Sequence, residues 1–351
     1  MEVGLLAPES PPWIEFDDYN EEVLQRVLQT RFSTGEVTVP FTVRLTNDPI
    51  YKVIVNLHQD RIEYVAPAEF PTAEQRDRMT NRWLSTRPLF QRVKELYPWL
   101  TGSCRVWLRD EPSGTGLAFC GNGVGHVLIP DPTFLGTAGY AKLRAFTATA
   151  ATPWAARSPV IFWRGSSSGQ YQPRWLHTPR RWQDLPRLKL CLEVKTIGRD
   201  DLFDVGISRL VGLGDDAQIW REVVERGLVR EPCPPTEFGK YKFAIDVDGN
   251  TCSWPGLFTK FLMNNTVIKV DSERGFRQWY YDRLVPWHNF VPLSASMEEL
   301  LEIATWLREH LEEAEQIGAR ARELAASLTF DRVLSDIAPA VRDQISAPQL
   351  L

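Results

Sequence analysis

The clearest order in this chain lies in where its apolar residues fall. "FTVRLTNDPIYKVIVNL" (41–57) alternates apolar and polar positions, the period of strands with one buried face. Asn47-Asp48-Pro49 supplies a turn, so the stretch is expected to form a hairpin. "TAEQRDRMTNRWLSTRPLFQRVKELY" (72–97) changes to helical spacing. Thr72 and Gln75 spell a capping box at its start, and Pro88 predicts a break or kink. Short apolar runs follow at intervals. "CRVWLRDEPSG" (104–114) and "GHVLIPDP" (125–132) each read as a strand running into a turn, while the glycine-rich "GNGVGH" (121–126) reads as a turn. "SPVIFWRGSSSG" (158–169), "LKLCLEV" (188–194), "YKFAIDVDG" (241–249) and "NTVIKVDS" (265–272) read as buried strands. "SMEELLEIATWLREHLEEAEQIGARARELAASL" (296–328) is helical, with Leu300, Ile303, Ala304, Leu307 and Leu311 on one face and a capping box from Ser296 to Glu299.

Apolar strands alternating with helical stretches predict an α/β protein with parallel sheets. The segment 148–159, "ATAATPWAARSP", is rich in Ala, Thr and Pro and marks a boundary. The expected organisation is one domain over 1–155, a second over 156–325, opened by the strand "VIFW", and a helical tail over 326–351. The long helix of the last third mixes charges of both signs on its polar face, which favours packing over membrane anchoring; peripheral membrane contact stays open.

Composition narrows the function classes. The 351 residues carry a net charge of −5, which gives no broad basic surface and argues against nucleic acid. No run approaches the ~18 apolar residues that a membrane-spanning helix needs. "MEVGLLAPESPPWIEF" lacks a basic n-region and an apolar h-region, so a cytoplasmic location is expected, the inner face of the membrane included. Five cysteines (104, 120, 191, 233, 252) are scattered and never spaced C-x-x-C, and read as reduced thiols. Thirteen tryptophans are many, and such rings serve either cores or sugar faces.

Two candidate sites emerge from the residues. In "FAIDVDGNTCSWPGLF" (243–258), Asp246 and Asp248 stand one residue apart at a strand's end. A calcium loop fails in both registers: with Asp246 first, Thr251 and Leu257 fill positions 6 and 12, and with Gly249 sixth, Ala244 and Pro255 fill positions 1 and 12. A metal-binding Asp-x-Asp holding a diphosphate stays open. The competing reading makes Gly249 and Asn250 a turn and starts a helix at "SWPGLF", with Pro255 in its first turn and the helix N-terminus, near Ser253 and Trp254, facing an anionic ligand. Asp246 and Asp248 then bond backbone or sugar hydroxyls. The second site is "WRGSSSGQYQPRW" (163–175), where Arg164 and Arg174 flank Gly165, Ser166, Ser167, Ser168 and Gly169. Small residues let backbone N–H groups approach an anion, and arginine binds phosphate oxygens in pairs. Asp110, just past a strand, is a candidate cleft carboxylate. The five histidines never pair at metal spacing, and there is no Walker loop, Gly-x-Ser-x-Gly or Gly-x-Gly-x-x-Gly.

Taken in order, "LRDEP", "FWRGSSSGQYQPRW", "FDVGIS", "KYKFAIDVDGNTCSWPGLFTKFL", "VIKVDS" and "RQWYYDRLVPWHNFVPLSASMEELLE" resemble glycosyltransferase family 90 over about residues 105 to 325. This is the family of protein O-glucosyltransferases, fungal capsule xylosyltransferases and bacterial lipopolysaccharide-modifying enzymes, and the "SWPGLFTK" spelling is closer to bacterial members. The resemblance implies a GT-B fold of two Rossmann-like domains facing across a cleft. It also implies inverting, metal-independent transfer of glucose or xylose from a UDP-sugar to a saccharide, lipid-linked or protein acceptor, with no cofactor beyond the donor. Asp110 takes the place of the general base, Arg164, Gly165 and Ser166 that of the donor loop, and Arg174 that of the arginine on the diphosphate. Two departures stand out. The arginine that animal members carry shortly after the position of Ser253 is missing, leaving Lys260 as a candidate substitute. The histidine of the Pro-Trp-x-His motif falls one place early, at His288, and is given no catalytic role. These departures, with the many tryptophans, keep a non-catalytic sugar or nucleotide-sugar binding protein as the alternative.

Overall fold

The computed structural model describes residues 14–30, 39–47, 51–123, 125–169, 181–212 and 217–346. Its contacts divide the chain into two compact units. The first unit takes the described part of 9–142, Arg277–Trp279 and the described part of 328–351; the second takes Leu143–Phe276 and Tyr280–Ser327.

The first unit runs α1 (Glu21–Thr30), β1 (Phe41–Thr46), β2 (Lys52–Leu57), β3 (Ile62–Pro67), α2 (Ala73–Leu84), α3 (Arg87–Leu96), β4 (Gly102–Trp107), β5 (Gly116–Ala118), β6 (His126–Leu128) and α4 (Pro132–Gly136). Its strands form one mixed sheet in the order β1-β3-β2-β4-β5-β6. The expected hairpin over 41–57 is not made. Both strands exist, but β3 lies between them, parallel to β1 and antiparallel to β2. Five of the six residues of β3 are buried, so burial draws that strand to an interior place in the sheet. Asp48 and Pro49 of the expected turn lie outside the described residues. Thr72 caps α2 by accepting from the Gln75 N–H at 3.1 Å, and the break comes at Ser85-Thr86, with Pro88 in the first turn of α3.

The core of this unit gathers around Tyr64, whose ring meets Phe41, Trp83 and Phe90 at centroid distances of 6.0, 5.1 and 6.1 Å. Arg87 is fully buried beside it, 5.0 Å above the Phe41 ring. None of its guanidinium nitrogens has a hydrogen-bond partner.

The second unit continues with α5 (Ala141–Thr149), β7 (Ser158–Ser166), α6 (Pro186–Ile197), β8 (Phe203–Arg209), α7 (Ala217–Glu225), β9 (Tyr241–Asp246), α8 (Pro255–Leu262), β10 (Thr266–Val270), β11 (Val291–Leu293), α9 (Leu300–Glu309) and α10 (Leu311–Ser327). The last helix, α11 (Phe330–Ser346), returns to the first unit and packs on α3 and β4. The strands β7 to β11 form a wholly parallel sheet in the order β11-β10-β9-β7-β8. Numbered from β7, that order is 2-1-3-4-5, the doubly wound arrangement whose direction reverses between β7 and β9. The central strands are buried on both faces: Phe243, Ala244, Ile245 and Asp246 of β9 are all at 0% exposure.

The "LKLCLEV" run is a helix, not a strand. It lies in α6, which starts with Pro186 in its first turn and ends on Gly198 in the left-handed region. A short apolar run has no decisive period, and Leu, Lys and Glu favour helix once the parallel strands β7 and β8 demand a crossover. The 296–328 helix divides at His310 into α9 and α10. Its expected capping box is not formed: α9 begins at Leu300, and the Glu299 carboxylate accepts from Ser294 at 2.6 Å instead. Leu300, Ile303, Ala304 and Leu307 are buried as the spacing predicts, whereas Leu311, past the break, is exposed. Tryptophans 83, 107, 154, 163 and 182 fill cores, while Trp99 and Trp287 stand exposed. All five cysteines are free.

Candidate donor site at the switch point of the parallel sheet

Ligands in doubly wound sheets bind beyond the carboxyl ends of the strands where the order reverses. Here those ends are Gly165-Ser166 of β7 and Asp246 to Gly249 after β9. The two sequence-derived sites therefore meet at one place in the second unit.

At the end of β7 the register against β8 shifts between Gly165 and Ser166. Ser167 is fully buried and exchanges hydrogen bonds with Val211, accepting from its N–H at 2.8 Å and donating to its carbonyl at 2.7 Å. That bracing aims Ser166 and Ser168 the other way, where their hydroxyls lie 3.1 Å apart. Arg187, in the first turn of α6, donates to the Ser168 hydroxyl at 2.7 Å and to the Ser166 hydroxyl and carbonyl at 3.2 Å. Gly249 closes the other side. A methyl group there would stand 2.9 Å from Ser168 Oγ and 3.1 Å from an Arg187 guanidinium nitrogen, so any side chain would push Ser168 and Arg187 aside.

Behind this contact sits a buried charge cluster. The Asp246 carboxylate accepts from Lys260 of α8 at 2.9 Å on one oxygen and from Ser253 at 2.9 Å on the other. Side-chain exposure is 6% for Lys260 and 0% for Asp246. Burial pushes Asp246 up, but Lys260, Lys269 and Ser253 outweigh it and hold the carboxyl below its usual range. Lys269 pairs across the ladder with Asp246 and lies 4.9 Å above the Tyr281 ring. Asp248 differs. It is 8% exposed, and burial pushes it up to about 6, helped by Asp246 and opposed by Lys269, Ser272 and Arg187. Its Oδ1 has no hydrogen-bond partner, and neither do Thr251 Oγ1 nor Arg187 Nε. Leaving a buried polar atom unpaired costs about 1–3 kcal/mol, and three such atoms set among serine hydroxyls and paired charges at the strand ends favour a polar ligand.

The other sequence-derived residues fall as follows. Arg164 does not reach this cluster. Its guanidinium is held by the Asp204 side chain and carbonyl on β8 and lies 4.8 Å above the Phe162 ring. Gly165 is fixed by its neighbour, since a methyl would stand 2.6 Å from the Trp163 ring. Asn250 is exposed in the turn. Trp254 caps α8 with φ at 55°, in the left-handed region, immediately before Pro255. Lys260 is committed to Asp246, and the guanidinium that reaches the two serine hydroxyls belongs to Arg187. Local pattern marks it only faintly: Pro186 signals a helix start, and the residue after it would open that helix. Arg174 lies outside the described residues.

In the first unit, Asp110 sits three residues past β4, where Oδ1 accepts from Arg82 of α2 at 2.8 Å. The same guanidinium also donates to the Leu108 carbonyl, which ties the Asp110 turn to the helix. Among the described residues no group of three His, Cys, Asp or Glu side chains is placed to hold a metal ion, and no helix is long and apolar enough to cross a membrane.

Comparison with known proteins agrees with the resemblance. The profile described as glycosyl transferase family 90 matches residues 126–337, more than half of the chain. Human protein O-glucosyltransferase 3 is 32% identical over 92 residues, 26% of this chain and 18% of the human protein. Zebrafish (Danio rerio) protein O-glucosyltransferase 2 is 32% identical over 91 residues, 25% of this chain and 17% of its own. The matched part thus spans under a fifth of these curated relatives. Among solved structures, that of TarM aligns with 56% of this chain and 37% of its own at 12% identity, with a TM-score of 0.37, too loose a likeness to carry an argument. With a parallel sheet whose switch point gathers both sequence-derived loops, and a family profile that covers both, the chain belongs to glycosyltransferase family 90.

Proposed function

We propose that this chain moves a sugar, glucose or xylose, from a UDP-sugar to an acceptor hydroxyl with inversion at the anomeric carbon and without a metal ion. The observation that carries the reading is the arginine–serine cradle at the switch point, where Arg187, Ser166 and Ser168 meet Gly249. Such a cradle matches a diphosphate, whose oxygens take paired donors from a guanidinium and single donors from hydroxyls. Asp246 has each oxygen engaged, by Lys260 and by Ser253, and Lys269 adds a second positive charge beside it, which disfavours a cation there. The metal-binding Asp-x-Asp is therefore the weaker reading.

In the reaction, the acceptor oxygen attacks C1 while its proton passes to the Asp110 carboxylate. The bond from C1 to the diphosphate oxygen breaks, and its electron pair leaves with UDP. Arg187, Ser166 and, by resemblance, Arg174 stabilise the charge that grows on that diphosphate. Arg82 fixes Asp110 by one oxygen and orients it. The acceptor is a saccharide, lipid-linked or protein hydroxyl.

The test is Asp110→Asn in an assay of transfer and of UDP-sugar hydrolysis. A positioned base contributes roughly 10²- to 10⁴-fold, so turnover should fall by that range while UDP affinity holds. Turnover near that of the unaltered chain would remove Asp110 from the base role. The ion pair that occupies Asp110 favours one second reading, a nucleotide-sugar binding protein without turnover. UDP binding with no product across a panel of acceptors would support it.

A further inference from the structure

The switch-point cluster leaves one strong acceptor without a donor. Asp248 Oδ1 is buried and unpartnered, and the Thr251 hydroxyl in the same turn, on a residue 2% exposed, is unpartnered too. The charged and polar groups around Asp248 are Asp246, Lys269, Arg187, the Tyr281 phenol, and Ser272, which hydrogen-bonds the carboxylate without satisfying Oδ1. The two lysines and Ser253 serve Asp246 first, and Arg187 is turned to the serines. A phosphate oxygen is a poor occupant for this position, because it would face two carboxylates. A cation is poor as well, because Lys269 and Arg187 already face the same carboxylate. What fits is a neutral donor, and an alcohol O–H both donates to a carboxylate and accepts from a threonine.

We propose that Asp248 is the hydroxyl reader of the donor site, its Oδ1 accepting from one ring hydroxyl of the nucleoside diphosphate sugar. This rests on the UDP-sugar reading above. A diphosphate held by Arg187 and the serines carries a hydroxylated ring at either end, the ribose and the transferred sugar, and the chemistry is the same for both. The consequence is selectivity. A donor without that hydroxyl leaves the buried carboxylate unpaired, which rejects it more sharply than any apolar contact would.

The experiment is a cycle of ligand and protein changes read by calorimetry. Affinities are measured for UDP, 2′-deoxy-UDP and 3′-deoxy-UDP, and for UDP-glucose with its 2-, 3- and 4-deoxyglucose counterparts. Each is measured on the unaltered chain, on Asp248→Ala and on Asp248→Asn, with thermal melts to show that the variants fold. For one hydroxyl, removal should weaken binding to the unaltered chain about 10- to 100-fold. The same removal should cost Asp248→Ala less than about 2-fold, and Asp248→Asn an intermediate amount, because the bond loses its charge. The analogue that shows this behaviour identifies the ring. Equal losses on all three proteins for every analogue would overturn the proposal while leaving the UDP-sugar reading intact. Failure of the unaltered chain to bind UDP or UDP-glucose would overturn both. If Asp248→Ala does not fold, the Asn variant alone decides, by whether its loss is smaller than that of the unaltered chain.

Discussion

Both units bury charge, and they do so in opposite ways. In the first unit Arg87 is sealed among aromatic rings with no hydrogen-bond partner for its guanidinium and no small-residue loop beside it. Burial pulls it below the usual arginine range, with Tyr64 opposing. In the second unit Asp246, Asp248, Lys260, Lys269 and Arg187 stand together at the carboxyl ends of parallel strands, among serines and a glycine with no room for a methyl. Unpaired polar atoms occur in both places, so an orphaned atom by itself does not mark a site. What marks one is the company: opposite charges nearby, hydroxyl donors, and a position where the sheet reverses its order. Arg87 has the Tyr64 and Thr86 hydroxyls near it but no carboxylate partner and no strand-order reversal, and reads as a packing element that tolerates its own desolvation.

The charge cluster of the second unit is most sensitive at Lys260. Lys260→Met would strand the buried Asp246 carboxylate and should cost about 3–5 kcal/mol in chemical denaturation, whereas adding Asp246→Asn should return much of it. A Lys260→Met protein as stable as its parent would mean the cluster is not paired as described. Next in size is a pH effect. Asp248 moves from its usual 3.8 to about 6 on folding, so the folded state keeps a proton that the unfolded chain has lost. Stability should therefore fall as pH rises from about 4 through 6 and level off above, by up to about 3 kcal/mol. Asp131 of the first unit, pushed up to about 6 mainly by burial, acts in the same direction. The difference between the parent and Asp248→Asn isolates the second unit, and parallel curves for the two proteins would refute the assignment. The smallest effect sharpens the other side. Arg87→Met keeps the bulk and removes a lone buried charge, and should raise stability by about 1–2 kcal/mol in the same denaturation assay. A large loss would show that Arg87 does more than fill space.

The same contrast explains what could be read from residues alone. Strand β9, the turn at Gly249 and the start of α8 at Pro255 are set by local chemistry, and they lie where that chemistry puts them. The small-residue stretch was legible as the end of β7, because serines and glycine after an apolar run favour a turn over a continuing strand. The insertion of β3 between β1 and β2 was not, since pairing partners are chosen by burial over long separations and leave no local mark. Nor was Arg187. Its contact with the serines comes from where α6 begins in space relative to β7 and β9, and nothing in "LPRLKLC" states that distance. The "LKLCLEV" stretch failed for the opposite reason: its alternation was real but too short to fix a period.

The return of α11 to the first unit sets an order of events. Gly102, which opens β4, lies 3.1 Å from Ile345 when given a methyl, and Arg92 of α3 reaches Asp331 at 3.5 Å. Those partners are made at the opposite end of the chain from β4 and α3. During synthesis the strands of the parallel sheet, and α9 and α10 after them, are complete before α11 has emerged. The unit that begins first in sequence is thus the one that finishes last in time. Until its closing helix arrives, α3 and β4 present their apolar faces to whatever else the nascent chain meets.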